Sequence, residues 1–135
     1  MDPQPALPTV VLADDEPHIR MMMKIVLERA GFKLLAEATN GQEAVDCCHR
    51  LEPDLVLLDI NMPIMNGDKA LQEILADRPH TAVIMLTSVA DSETVTQCIE
   101  LGAADYLRKD TPVQEIGGRI LKAWQSWTPS SVGPL

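Results

Sequence analysis

Aromatic residues are scarce: Phe32, Tyr106, Trp124 and Trp127 make up 3% of the 135 residues. The core must therefore be aliphatic, drawn from the Val, Ile, Leu, Met and Ala that dominate a 46% hydrophobic share. Cysteine is sparse and odd in number. Cys47, Cys48 and Cys98 show no CxxC spacing and no histidine at ligand distance. That excludes a disulfide scaffold and reads as small hydrophobes in a reducing compartment. Positive charge is also short. Lys and Arg number 11 against 20 Asp and Glu, a net charge of −9. This argues against direct nucleic acid binding and against an anionic membrane surface, and it suits a cation or a basic partner. No run approaches the roughly 20 apolar residues of a spanning helix. The opening MDPQPALP lacks the basic start and apolar stretch of a signal peptide. The expectation is a soluble, cytoplasmic protein with one core, since the length is too short for two ordinary domains.

What is present is a pattern repeated five times: a short apolar run, a turn, then a helical stretch. Strands are predicted over Thr9–Ala13, Lys33–Ala38, 54–60, Ala82–Thr87 and Asp105–Arg108. Four are largely apolar, as strands covered on both faces are; KLLAEA, the second, is more polar and reads as an edge. In the first helix Ile19, Met22, Met23, Val26, Leu27 and Ala30 share a face, with Gly31 as a stop. Asn40 opens the second, with Glu43 three residues on. The third is predicted over 68–77 with Leu71, Ile74 and Leu75 inward, and the fourth over 91–102. The fifth starts with Thr111 as cap, Pro112 in the first helical position and Gln114 at the third. Its apolar stripe is Val113, Ile116, Ile120, Trp124 and Trp127. Such alternation implies an α/β fold: a flavodoxin-like, doubly wound, five-stranded parallel sheet of order 2-1-3-4-5 with five helices. Residues 1–8 read as a flexible lead-in, 9–127 as the domain, and 128–135 as a tail or the start of a linker.

Ligands of such sheets bind outside the carboxyl ends of the strands. There the first strand delivers Asp14 and Asp15, the third Asp59, the fourth Thr87 and Ser88, and the fifth Lys109. Two carboxylates about 4 Å apart repel by roughly 4 kcal/mol at an effective dielectric of 20. Lys109 supplies one counter-charge, and a hard divalent cation would supply the rest; an all-oxygen donor set selects Mg²⁺ over Zn²⁺. A Mg²⁺ with open positions facing a carboxylate nucleophile is phosphoryl-transfer chemistry. Taken singly, each residue has a plainer reading. The acids start a helix, Thr87 is a strand residue or cap, Lys109 is a surface charge and Tyr106 is a core ring. Jointly they fall on one edge of one sheet.

The strings ADDEP, LLDINMPIMNG, MLTS and GAADYLRKD resemble the signatures of response-regulator receiver domains, the CheY-like family. The resemblance extends over about 9–124. It implies that Asp59 is the phosphoacceptor, receiving the phosphoryl group from a phosphohistidine of a sensor histidine kinase. It implies that Asp15, Asp59 and the backbone carbonyl of Asn61 ligate Mg²⁺, with Asp14 acting through water. Thr87 would hydrogen-bond the phosphoryl oxygens, Lys109 would pair with Asp59 and then the phosphate, and Tyr106 is the switch aromatic. Self-association is implied through the face of the fourth helix, fifth strand and fifth helix, or through helices one and five.

Departures are visible. Receivers commonly have Pro directly after the lysine; here Asp110 follows Lys109 and the proline is Pro112. KDTPVQEI is closer to receivers of NarL/LuxR-type transcription factors, which implies a DNA-binding output domain outside this chain. A stand-alone receiver is the alternative. An Asp-nucleophile phosphatase is a rival class, but it places a second Asp two residues after the nucleophile, where this chain has Asn61. Gly67, in the loop after Asp59, is expected to supply a positive φ. Gly117 and Gly118 inside the fifth helix imply close packing on a partner helix or a weak helix. His18, beside the acidic turn, is a candidate for the mouth of the site; His49 and His80 read as surface residues.

Overall fold

The computed structural model describes residues 7–127. The lead-in over 1–6 and the expected tail over 128–135 lie outside the described residues. In chain order the elements are β1 (Thr9–Ala13), α1 (Pro17–Arg29), β2 (Lys33–Ala38), α2 (Gly41–Leu51), β3 (Leu55–Asp59), α3 (Gly67–Asp77), β4 (Ala82–Thr87), α4 (Ser92–Glu100), β5 (Asp105–Arg108) and α5 (Val113–Ser126). All strand pairs are parallel, in the order β2-β1-β3-β4-β5, so the polar KLLAEA strand does form an edge.

The alternation of strand side chains builds two cores. Val10, Leu12, Leu55, Leu57, Ile84 and Leu86 face α1 and α5, whose Met23, Leu27, Ile116 and Ile120 cover them. Val11, Val56, Leu58, Val83 and Met85 face the other way, against Ala44 and Cys48 of α2, Leu71 and Ile74 of α3, and Cys98 of α4. Aromatics contribute one edge-to-face pair, Phe32 on Trp124, with centroids 6.3 Å apart.

Local signals explain most boundaries. Asn40 caps α2, its side chain accepting the Glu43 N–H at 2.8 Å. Glu43 does not reach back to Asn40; its carboxylate accepts the N–H and hydroxyl of Thr39 instead. Gly31 (φ +95°) and Gly102 (φ +115°) end α1 and α4 in the left-handed region.

Several expectations need correction. β3 is one residue shorter at each end than 54–60: the Asp54 carboxylate binds the N–H and hydroxyl of Thr9 at 2.8 and 3.0 Å, and the Ile60 carbonyl accepts the Gly67 N–H at 2.7 Å. The third helix begins one residue early, at Gly67. A 3-10 turn over Val89–Asp91 precedes α4, which starts at Ser92 and ends at Glu100. Thr111 does not cap α5: Pro112 holds the cap position with extended ψ (134°) and no side-chain cap bond, which delays the helix to Val113. Val113 is 54% exposed and leaves the apolar stripe. Gly67 does not supply the positive φ of its loop. That conformation falls on Ile64 (φ 71°), in a tight turn closed by the Met65 N–H on the Pro63 carbonyl at 2.7 Å.

The two glycines of α5 differ. A Cβ on Gly117 would lie 3.6 Å from Val26 Cγ1, so this residue faces α1, whereas one on Gly118 would meet nothing within 4 Å. Gly118→Ala should therefore stabilise the domain by about 1 kcal/mol, the helix-propensity difference, as a rise in urea midpoint. A lowered midpoint would show that the open space is needed.

Candidate functional site

The carboxyl edge of the sheet collects the acids. Asp14 follows β1 and is kept in line by its own N–H donating to the Ala38 carbonyl at 3.0 Å. Its side chain is fully buried; Oδ1 accepts the Glu16 N–H at 2.8 Å, and Arg20 Nη1 donates to its carbonyl at 2.8 Å. Asp59, the last residue of β3, is 3% exposed. Asp15 is exposed beside them. Asp14, Asp15, Glu16 and Asp59 each place a carboxylate oxygen within 4.8 Å of the others.

Lys109, just past β5, is the cation at their centre. Its Nζ lies 2.8 Å from Glu16 Oε1, 2.9 Å from Asp14 Oδ2 and 3.1 Å from Asp59 Oδ2. Its backbone N–H donates to the Thr87 carbonyl at 2.8 Å, which ties the lysine to the end of β4. Burial opposes the ammonium charge, but the bonds to Asp14 and Glu16 outweigh it and hold Lys109 above its ordinary pKa. Glu16 is lowered by its bond to Lys109. Asp14 is raised, burial outweighing the lysine. Burial, then the Asp14 charge, pushes Asp59 up to about 7 against the pull of Lys109.

Of the four clustered carboxylates three share one ammonium, and Oδ2 of both Asp14 and Asp59 is enclosed without a well-directed hydrogen bond. Such an excess of oxygen donors, two of the carboxylates buried, fits a hard divalent cation and leaves nothing for a soft one.

Asp14, Asp15, Asp59 and Lys109 thus come together as the sequence suggests. Thr87 is buried at the end of β4. Tyr106 is not a core ring: it is 41% exposed and borders, with Thr87, Ser88, Val95 and Ile99, a groove of about 480 Å³. Asn61 turns its side-chain amide to Asp91, 3.0 Å away. His18 stands at the rim, 3.8 Å from Glu16. His49 pairs with Asp77 on the far side of the molecule's surface, at 3.1 Å.

Glu16 as a partner of Lys109 is missing from the sequence reading, which treats it only as an acidic helix start. The available signal is Pro17: a proline in the first helical position makes Glu16 the N-cap. Its side chain makes no cap bond and is left for the lysine.

Known proteins share this frame. The family model of the response regulator receiver domain matches residues 10–121. Protein CcdB of Bacillus subtilis is 40% identical over 115 residues, which is 83% of this chain and 96% of that protein. The chemotaxis protein CheY of Thermotoga maritima is 39% identical over 100 residues, 74% and 83% of the two chains. The signal receiver domain of NarL from Mycobacterium tuberculosis superposes with a TM-score of 0.80 at 27% identity, covering 90% of this chain and 98% of that one. No helix among the described residues is long and apolar enough to cross a membrane. With the sheet order, the acidic edge and these likenesses in agreement, the chain belongs to the response regulator receiver domain family and serves two-component signal transduction.

Proposed function

We propose that Asp59 accepts a phosphoryl group from a sensor histidine kinase in the cytoplasm, with Mg²⁺ held by Asp15, Asp59 and the Asn61 carbonyl, and with Asp14 acting through a bound water. One observation carries this reading. Asp59 is a buried carboxylate at a strand end, 3.1 Å from a lysine and crowded by three other acids. Mg²⁺ would neutralise the developing charge on the transferring group. Lys109 Nζ already touches Asp59 and is positioned to follow the negative charge onto a phosphoryl oxygen. Glu16 and Asp14 keep that ammonium charged and in place.

Thr87 would bind the phosphoryl group, and Tyr106, bordering the same groove, would report it to the α4-β5-α5 surface. That surface and the α1/α5 face are the two candidates for self-association. The receiver spans 9–127, with 128–135 a tail or the start of a linker. KDTPVQEI supports a DNA-binding output of NarL/LuxR type; the CcdB and CheY relatives, most of whose length this chain covers, support a receiver acting through protein contact alone. This chain itself touches neither DNA nor membrane.

Labelled acetyl phosphate with Mg²⁺ should place one phosphoryl group on the chain, mapping by mass spectrometry to the peptide holding Asp59. A label on any other residue would refute the assignment. Asp15→Asn should weaken Mg²⁺ binding by about tenfold or more, and an unchanged affinity would remove Asp15 from the ligand set.

A further inference from the structure

Asp91 is the last residue of the turn before α4 and is nearly buried. Its two carboxylate oxygens serve two different loops. Oδ2 accepts the Ser88 N–H at 2.7 Å and the Ser88 hydroxyl at 3.0 Å. Oδ1 accepts the side-chain amide of Asn61 at 3.0 Å. Ser88 directly follows Thr87. Asn61 stands two residues after Asp59. The carboxylate thus joins the loop leaving the acceptor strand to the loop leaving the threonine strand.

A capping role needs only half of this. One oxygen on the Ser88 N–H, with the Asp91 N–H returning to the Ser88 carbonyl at 3.1 Å, closes the turn. The bond to Asn61 adds nothing to that turn. It reaches 30 positions back along the chain, and a hydrogen bond to a charged acceptor is about twice as strong as a neutral one. Its effect is to fix the segment that carries Asn61, two residues past Asp59, whose carbonyl the Mg²⁺ reading assigns to the metal.

We propose that Asp91 is a positioning residue of the metal site: by bracing Asn61 against Ser88 it preorganises the Asn61 carbonyl and transmits occupancy of the site to the first turn of α4. This rests on the Mg²⁺ reading given under Proposed function. It adds a route from site to surface that does not pass through Thr87 and Tyr106.

The test uses the full chain and Mg²⁺ alone. Asn61→Ala keeps the backbone carbonyl and leaves the Ser88–Asp91 turn intact, so it breaks only the brace; Asp91→Ala breaks both halves. Asn61→Ala should weaken Mg²⁺ binding by calorimetry about fivefold, and adding it to Asp91→Ala should weaken binding no further than Asp91→Ala alone, because the Asn61–Asp91 bond is already lost there. In ¹⁵N spectra, Mg²⁺ should move the amides of Ser88, Ser92 and Glu93 in the wild type. In both variants it should move those near Asp15 and Asp59 but no longer those three. Independent, multiplying losses of affinity, or full-sized shifts at Ser92 and Glu93 in Asn61→Ala, would overturn the brace while leaving the metal site standing. A wild-type chain that binds no Mg²⁺ would defeat the metal reading and the brace together.

Discussion

Asp59→Asn should abolish phosphoryl uptake and, in the absence of metal, make the protein more stable. The second half follows from burial. A carboxyl whose folded pKa is raised to about 7 from 3.8 keeps its proton in the native state over a range where the unfolded chain has lost it. Native protein then binds more protons than unfolded protein, so stability falls as pH rises from about 4 to about 7 and is level above that. At 1.36 kcal/mol per pKa unit the destabilisation at neutral pH is on the order of 4 kcal/mol, an upper figure because part of the shift comes from the neighbouring Asp14 charge. An uncharged amide of the same shape escapes most of it and gives up one lysine contact. The expected gain is about 1–3 kcal/mol, a few degrees in Tm at pH 7.5, shrinking towards zero near pH 4. Mg²⁺ should raise the Tm of the wild type by mass action and leave the variant nearly unmoved. Equal Tm values for the two metal-free proteins at pH 7.5 would show that the site carries no electrostatic strain.

Gly67→Ala should be the most damaging of the small changes. A Cβ at that position would lie 2.0 Å from the Asp59 carbonyl oxygen and 2.9 Å from Ile60 Cα, both backbone atoms that no rotamer change can clear. Gly41 holds the other end of the same loop, its would-be Cβ 2.1 Å from the Met65 carbonyl oxygen. Between these two contacts the segment from Ile60 to Met65 is clamped, and Asn61 is on it. Relief requires moving the loop away from the strand end, at a cost of about 3 kcal/mol or more, the upper range for overpacking. Mg²⁺ affinity should fall with it, because the Asn61 carbonyl moves as well. Urea unfolding with and without Mg²⁺ measures both; a midpoint within error of the wild type would mean that the loop yields freely. Gly118→Ala, which adds the same methyl group in open space, is the matched control.

The strands were readable because a sheet covered on both faces leaves uninterrupted apolar runs such as LVLL and AVIML, and the site because its residues end those runs. Asp14, Asp15, Asp59 and Lys109 needed only the strand order to be placed together. What stayed hidden depends on neighbours distant in sequence. Glu16 is a partner of Lys109 across 93 positions, and Asp91 meets Asn61 only once β3 and β4 lie side by side. Propensity points to Gly67 for the positive φ, yet Gly67 is held by close approach to the Asp59 carbonyl and the β-branched Ile64 takes the strained conformation. Thr111 and Val113 depart from expectation for a related reason: the start of α5 is set by how the chain leaves Lys109, and no periodicity records that.

The placement of the indoles has a practical consequence. Trp124, on α5, and Trp127, at its end, lie on the core that Phe32 closes. Phe32 precedes β2, at the edge of the sheet opposite the acids. Intrinsic fluorescence should therefore follow melting of this core with little direct quenching from events around Asp59, so that an optical denaturation curve and a ligand titration can be run on one sample without each distorting the other.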